Sequence, residues 1–340
     1  FIEKCGQLAK PHGFYAMITQ HAFMFLSSYE NLRKKLMQKT TVNMAHLGAR
    51  AFDEIGGEVV QTTAFVMTGH IKDYKGTYAR LVDTVGENEK RDLFLSGDKR
   101  FAAKQENFSK IPGSPVAYWV SENFIRAFEN GRLLGEIASS KQGIATADNN
   151  RFLREWYEVN VEKILFDCST HEESKTSPAK WYPYNKGGEF RKWYGNNDYV
   201  VNWQYDGAEL RNFKKSVIRN PNFYFMPCFS WSLISSSVAA FRYKPKGHIF
   251  DVAGMSCFSN DKLHYLLALC NSSCAMKVLE VIAPTINYQC GDIANIPVII
   301  PDSDEVENHV KELVKDNIDS CKTDWDYYEV SWDFEKHPLI

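Results

Sequence analysis

Apolar residues along the chain change their spacing several times, and each change marks an element. The chain opens on a helical pattern that Lys10-Pro11-His12-Gly13 interrupts, after which Phe14 to Thr19 reads as a short buried strand. Ser27 and Glu30 have the spacing of a capping box, and Leu32 and Leu36 with the basic Arg33, Lys34 and Lys35 complete an amphipathic helix ending near Lys39. Val42 to Leu47 and Val59 to Met67 have strand character, with Gly56-Gly57 as the turn between them. Helix, strand, helix, strand and hairpin in this order suit the C-terminal half of a doubly wound α/β domain. Gly69 to Gln105 is polar and irregular and reads as a connector.

From Val116 onward the pattern shifts to short aromatic-rich segments bounded by Gly, Pro and Asn. Asn222 to Ile234 and Ala239 to Val252 have strand composition, joined through Ser235-Ser236-Ser237, with a turn at Pro245-Lys246-Gly247. Two helices follow: Ser259 caps one carrying Leu263, Leu266, Leu267 and Cys270, and Ala275, Val278, Leu279 and Ile282 repeat the spacing in the next. A last helix is expected over roughly Asp304 to Ile318, with Val306, Val310, Leu313 and Val314 on one face. The expected architecture is an α/β remnant of a doubly wound domain over residues 1–100, an α+β domain over 105–300 and an acidic helical tail over 301–340. No internal repeat or low-complexity stretch interrupts it.

A composition of 44% hydrophobic and 24% charged residues is that of a soluble protein, and no apolar stretch is long enough to cross a bilayer. The chain is read as cytoplasmic and, beginning at Phe1 inside a helix, as a fragment or processed product. Its eight cysteines form no CxxC pair; Cys270 and Cys274 alone come near a metal spacing, and without a second pair zinc is not expected. The net charge of −2 conceals an uneven distribution. Lys180 to His248 holds eleven basic and four acidic residues, a balance of +7, while Asp302 to Ile340 holds twelve acids against four lysines, a balance of −8. A basic middle suits a phosphate backbone, although solvated loop charges give the same count.

The most unusual segment is Lys180-Trp-Tyr-Pro-Tyr-Asn-Lys-Gly-Gly-Glu-Phe-Arg-Lys-Trp-Tyr-Gly195, followed by Tyr199, Trp203 and Tyr205. Lys180, Trp181, Tyr184, Lys186, Arg191 and Lys192 there combine flat π surfaces with cations, and Gly187-Gly188 would let backbone N–H groups approach an anion. The competing reading is an aromatic mini-core closed over a loop. Gly143-Ile-Ala-Thr-Ala-Asp-Asn-Asn-Arg-Phe152 is a polar turn whose Thr146 and Asn149 could bond to backbone or phosphate. Phe241-Arg-Tyr-Lys-Pro-Lys-Gly247 places Arg242, Lys244 and Lys246 on an expected hairpin, suited to gripping phosphate or to protecting an edge strand. Arg219 adds a further cation. No nucleophile elbow, Walker loop, Gly-x-Gly-x-x-Gly or deaminase zinc motif is present, and no carboxylate has a spacing that marks it as catalytic.

These segments resemble the adenine-specific DNA methyltransferases of BREX phage-defence systems and, more distantly, type IIG restriction–modification enzymes. Phe1-Ile-Glu-Lys-Cys5 and Gly13-Phe-Tyr-Ala-Met-Ile-Thr-Gln20 resemble the helix and strand after the family's catalytic Asn-Pro-Pro-Tyr motif. Phe52-Asp-Glu-Ile-Gly-Gly-Glu-Val-Val-Gln-Thr-Thr-Ala-Phe65 is similar to the hairpin closing the methyltransferase domain. Gly143 to Phe152 resembles the Gly-x-x-Thr-Gly-x-Asn-x-x-Phe opening of the target-recognition domain, with Ala147 in place of the second glycine. Lys180 to Phe190, Lys246 to Asp251, Pro284-Thr285 and Asp292 to Pro297 are similar to later blocks of that domain.

The resemblance implies DNA target recognition within an S-adenosylmethionine-dependent adenine-N6 methyltransferase, with double-stranded DNA as partner. It also implies base flipping, for which Phe65 is the candidate stacking face, core packing being the alternative. The cofactor-binding glycine motif and Asn-Pro-Pro-Tyr are absent from the chain, so no cofactor binding and no catalysis are expected of it alone. A scaffold that binds other phage-defence proteins, and an aromatic carbohydrate platform, stay open as alternatives.

Overall fold

The computed structural model describes residues 1–54, 60–71, 73–235 and 238–340. It forms two compact units, Phe1–Asn130 and Gly131–Ile340. The expected turn at Gly56-Gly57 and the Ser236-Ser237 link lie outside the described residues.

The first unit runs α1 (Ile2–Leu8), β1 (Phe14–Gln20), α2 (Glu30–Leu36), β2 (Thr40–Gly48), β3 (Thr62–Thr68), β4 (Lys75–Arg80), α3 (Glu87–Ser96), β5 (Arg100–Lys104) and α4 (Glu122–Asn130). Its strands form one sheet in the order β1-β3-β2-β4-β5, antiparallel except for the β2/β4 pair. β2 and β3 pair as the sequence pattern predicts. The stretch 69–105 is not a connector: β4, α3 and β5 complete the sheet, and residues 105–130 also belong to this unit. Those strands escape a hydrophobicity reading because their outward positions are Lys75, Thr77, Arg100 and Ala102.

One sheet face supplies Met44, Phe65, Met67 and Tyr78 to a core shared with Phe23, Leu36, Phe108 and Tyr118. The expected capping box does not form: Ser27–Tyr29 is a 3-10 turn without a side-chain cap, and Glu30 pairs with Lys34 at 2.7 Å. Arg33 turns inward, 2% exposed, and donates to the carbonyls of Gly113, Phe23 and Leu26.

The second unit begins with β6 (Arg132–Leu133), α5 (Leu134–Ile137), β7 (Ser139–Lys141), α6 (Asn149–Phe152), β8 (Leu153–Glu155), α7 (His171–Thr176), β9 (Trp181–Asn185), β10 (Tyr199–Asn202) and α8 (Gln204–Asn212). It continues through β11 (Cys228–Ser230), β12 (Arg242–Lys244), β13 (Ile249–Phe250), β14 (Ser256–Phe258), α9 (Leu263–Asn271), α10 (Ser273–Ile282), α11 (Cys290–Ala294), β15 (Pro297–Val298) and α12 (Asp304–Asp326). Two four-stranded sheets, β13-β9-β10-β8 and β12-β11-β14-β7, accompany a small β15-β6 pair. β12 and β13 enter different sheets, so the expected hairpin across Pro245-Lys246-Gly247 is a turn between sheets. The strands are shorter than their composition suggested.

A core of Tyr182, Tyr184, Val201, Trp203, Phe225, Cys228, Phe250 and Phe258 draws on strands of both sheets. Gly143 is obligatory for this closure, since a Cβ there would lie 1.8 Å from the carbonyl oxygen of Phe250. Burying about 150–250 Å² per aromatic ring supplies most of the driving force. α9 has the expected buried stripe and α10 buries Ala275, Val278 and Leu279 as expected but Val281 in place of Ile282, with Ser259 accepting from the Lys262 N–H and Ser272 capping α10. α12 runs to Asp326, past the expected end near Ile318, and its buried stripe is Glu307, Val314, Ile318 and Trp325. Val306 and Leu313, expected on the buried face, are exposed. No single helix among the described residues is long and apolar enough to cross a membrane.

Candidate nucleic-acid interface

The aromatic segment is mostly interior. β9 is buried along its whole length: Tyr182 and Tyr184 face the main core, while Trp181 packs with Val200 and Ile164. The Tyr184 hydroxyl donates to Asp251 Oδ2 at 2.7 Å, and burial lifts the Asp251 carboxyl above its ordinary range. Tyr194 and Trp203 are buried as well, so the mini-core reading describes most of this run. Phe190 and Tyr205 remain outward, 51% and 59% exposed. Lys180 is exposed at the rim, its Nζ 5.3 Å from the Trp181 ring.

Two expected DNA contacts are corrected. Lys244 is fully buried, and its Nζ donates to the carbonyls of Gly195 (2.8 Å) and Asn196 (2.9 Å) and to Asn197 Oδ1. Burial, then the neighbouring Arg242 charge, push its pKa down to about 7. Arg242 is 1% exposed, donates to Ser232 Oγ at 2.9 Å, and is lowered to about 10 by burial. The two lie two positions apart on β12 and therefore share its inward face, with Tyr243 on the other. Lys244 holds the irregular 193–197 loop, in which Trp193, Gly195 and Asn196 all have positive φ.

The other expected cations are dispersed. The Arg191 guanidinium stacks on Trp325 at 4.8 Å and lies 3.5 Å from Asp324, while Lys192 donates to the Asn271 carbonyl at the end of α9. Lys186 is half-buried over the Tyr199 ring. Lys246 is exposed, 4.0 Å from Asp167. Arg219 is half-buried, with Nη1 enclosed and without a hydrogen-bond partner.

The polar turn keeps the geometry that a glycine would give it. Ala147 has φ 58, the left-handed region, in which a Cβ costs about 1–2 kcal/mol. The Thr146 hydroxyl donates to Asn149 Oδ1 at 2.6 Å, and Asp148 caps α6 by accepting from the Arg151 N–H. Thr146 is buried and Asn149 exposed. Paired backbone bonds between Ala145 and Val217 (3.0 and 2.9 Å) bring this turn beside the 213–219 segment.

In the first unit Phe65 is 2% exposed and meets Phe23 edge-on with ring centres 5.7 Å apart. Its ring thus packs in the core in this structure, the alternative given beside the stacking role. An open groove of about 560 Å³ lies on the sheet, lined among others by Ile18, Asn43, Val66, Thr77, Phe94 and Arg100. A partly buried chain that the sequence did not reveal runs from His21 Nδ1 to His46 Nε2 (2.8 Å) and from His46 Nδ1 to the Tyr118 hydroxyl (3.1 Å). Burial and the adjacent His21 push the His46 pKa down to about 3. Its only sequence signal was a histidine on the inward face of β2. No three His, Cys, Asp or Glu side chains converge as a metal site among the described residues.

No protein-family model matches the chain. It is 41% identical over 359 residues to the adenine-specific methyltransferase PglX of Lacticaseibacillus casei (strain Zhang), with all of this chain and 29% of that protein covered. It is likewise 41% identical over 347 residues to the adenine-specific methyltransferase BrxX of Escherichia coli O9:H4 (strain HS), with all of this chain and 28% of that protein covered. The chain is related to the PglX and BrxX methyltransferases. It spans less than a third of their length. The type IIL restriction–modification enzyme MmeI, solved in complex with DNA, has a similar fold, with a TM-score of 0.54 at 11% identity over 94% of this chain and 43% of MmeI.

Proposed function

We propose that this chain is the target-recognising part of an adenine-N6 DNA methyltransferase of the PglX and BrxX kind, acting in phage defence or restriction–modification. On this reading the first unit belongs to the end of the methyl-transfer domain and the second selects the DNA sequence. The observation that carries the proposal is 41% identity along the entire chain to two adenine-specific methyltransferases. The exposed Lys180, Lys214 and Lys215 of the second unit support it.

S-adenosylmethionine would serve the complete enzyme as methyl donor. The open groove in the first unit does not fit it: a sulfonium cation and ribose hydroxyls call for carboxylates, and among the described residues the groove is lined by Arg100 and no acid. No methyl-transfer step is therefore assigned to these residues. The test is binding of the chain to a labelled pool of duplexes across a salt series. Logarithmic affinity should fall linearly with logarithmic salt, because lysines and arginines release counterions from phosphates. Absence of duplex binding at about 50 mM salt, or affinity indifferent to salt, would overturn the proposal.

A further inference from the structure

We infer that Lys214, Lys215 and Arg219, beside the 145–151 turn, form the surface that grips the DNA phosphate backbone; this rests on the recognition role proposed above. Residues 211–219 contain four cations and no acid. The nearest carboxylates in sequence are already engaged. Asp206 is held by Arg211 (3.0 Å) and His171 (2.5 Å), and Glu209 by Arg151 (2.7 Å) and the Asn202 amide (2.7 Å). Among the described residues no ion pair involves Lys214, Lys215 or Arg219, and both lysines are exposed.

The backbone beneath these charges is fixed. Ser216 Oγ donates to the Leu210 and Phe213 carbonyls, the Tyr224 hydroxyl donates to the Arg219 carbonyl, and Asn220 donates to the Gln142 carbonyl. Phe213 and Ile218 pack against the core, and Arg151 lies 5.2 Å from the centres of both the Phe152 and Phe213 rings. Like charges held together without counter-charges oppose folding, yet here they are presented on a rigid support. An extended polyanion supplies the missing counter-charge. The cations are spread along the chain from 214 to 219, which favours a backbone of successive phosphates over one bound ion. The Ala145–Val217 pairing and the Arg151–Phe213 contact bring the 145–151 turn, which carries the exposed Asn149 and Asn150, to this segment, and neutral amides suit hydrogen bonding along a phosphate strand.

The test compares the full chain with Lys214→Gln/Lys215→Gln and with Lys277→Gln, an exposed lysine on α10, after thermal melts establish that all three fold alike. The double variant should lower the salt slope of duplex binding by about two units, and Lys277→Gln should leave it unchanged. A steep wild-type slope that the double variant retains would overturn this surface while leaving the recognition role standing. A wild-type chain that binds no duplex would overturn both. Polyglutamate competing as well as duplex at equal charge would assign the surface to an acidic peptide and overturn the DNA partner.

Discussion

Lys244 makes stability depend on pH in a way that a surface lysine would not. Its pKa falls from an ordinary 10.5 to about 7, because a buried ammonium surrounded by neutral oxygens, with Arg242 close by, loses more hydration than it regains. Between those two values the unfolded chain binds the proton more tightly than the folded one, so stability rises with pH. Each pH unit well inside the window is worth about 1.4 kcal/mol. Starting at the folded pKa, the rise from pH 7 to 8.5 comes to roughly 1.5 kcal/mol. Above that range buried thiols such as Cys228 and Cys257, both raised to about 12 by burial, act in the opposite sense as their unfolded counterparts ionise.

Lys244→Met removes the titrating group but leaves three oxygens without their donor, at about 1–3 kcal/mol for each one that stays dry. The absolute cost therefore mixes opposing terms, and its change with pH is the cleaner quantity. Urea melts of both proteins at pH 7, 7.75 and 8.5 should show the gap widening by roughly 1.5 kcal/mol, the thiol contributions cancelling between them. A gap constant across the series would refute the argument and place the ammonium in contact with water.

Two further outcomes follow from the same geometry. Ala147→Gly should stabilise the chain by about 0.5–1 kcal/mol, since relief of a left-handed alanine exceeds the added freedom of an unfolded glycine; a lower melting temperature would contradict φ 58 there. Phe65→Ala should cost roughly 3–5 kcal/mol by opening the core beside Phe23, and an unchanged denaturant midpoint would return Phe65 to a role at the surface.

Much of the fold was legible because spacing reports burial directly. β1, the β2/β3 pair and the stripes of α9 and α10 follow from alternation or three-and-four periodicity within a few residues. β4 and β5 were not, since each presents polar or small residues outward and relies on sheet neighbours distant in sequence. The interface was harder to read for one recurring reason. Arg33, Lys90 and Lys244 are all buried, and each donates to backbone carbonyls. Carbonyls leave no acidic residue in the sequence to betray the pairing, so a count of cations overstates the charge on the surface. The count included Lys214 and Lys215 but gave no reason to single them out, since their distinguishing mark is the engagement of nearby acids by other side chains. The turn at Gly143 to Phe152 was legible as a motif, and its neighbour at Val217 was not.

The second unit's sheets also set an order for synthesis. β7 (Ser139–Lys141) has β14 (Ser256–Phe258) as its partner, and β9 (Trp181–Asn185) takes β13 (Ile249–Phe250) along one edge. At roughly 5–20 residues per second, β7 leaves the ribosome several seconds or more before its partner exists. One sheet cannot close until residue 250 has emerged and the other until residue 258, and the aromatic strand β9 waits meanwhile with an open edge. A truncated chain ending before β13 would keep that edge for good, and its fate in the cell would be capture by chaperones or aggregation.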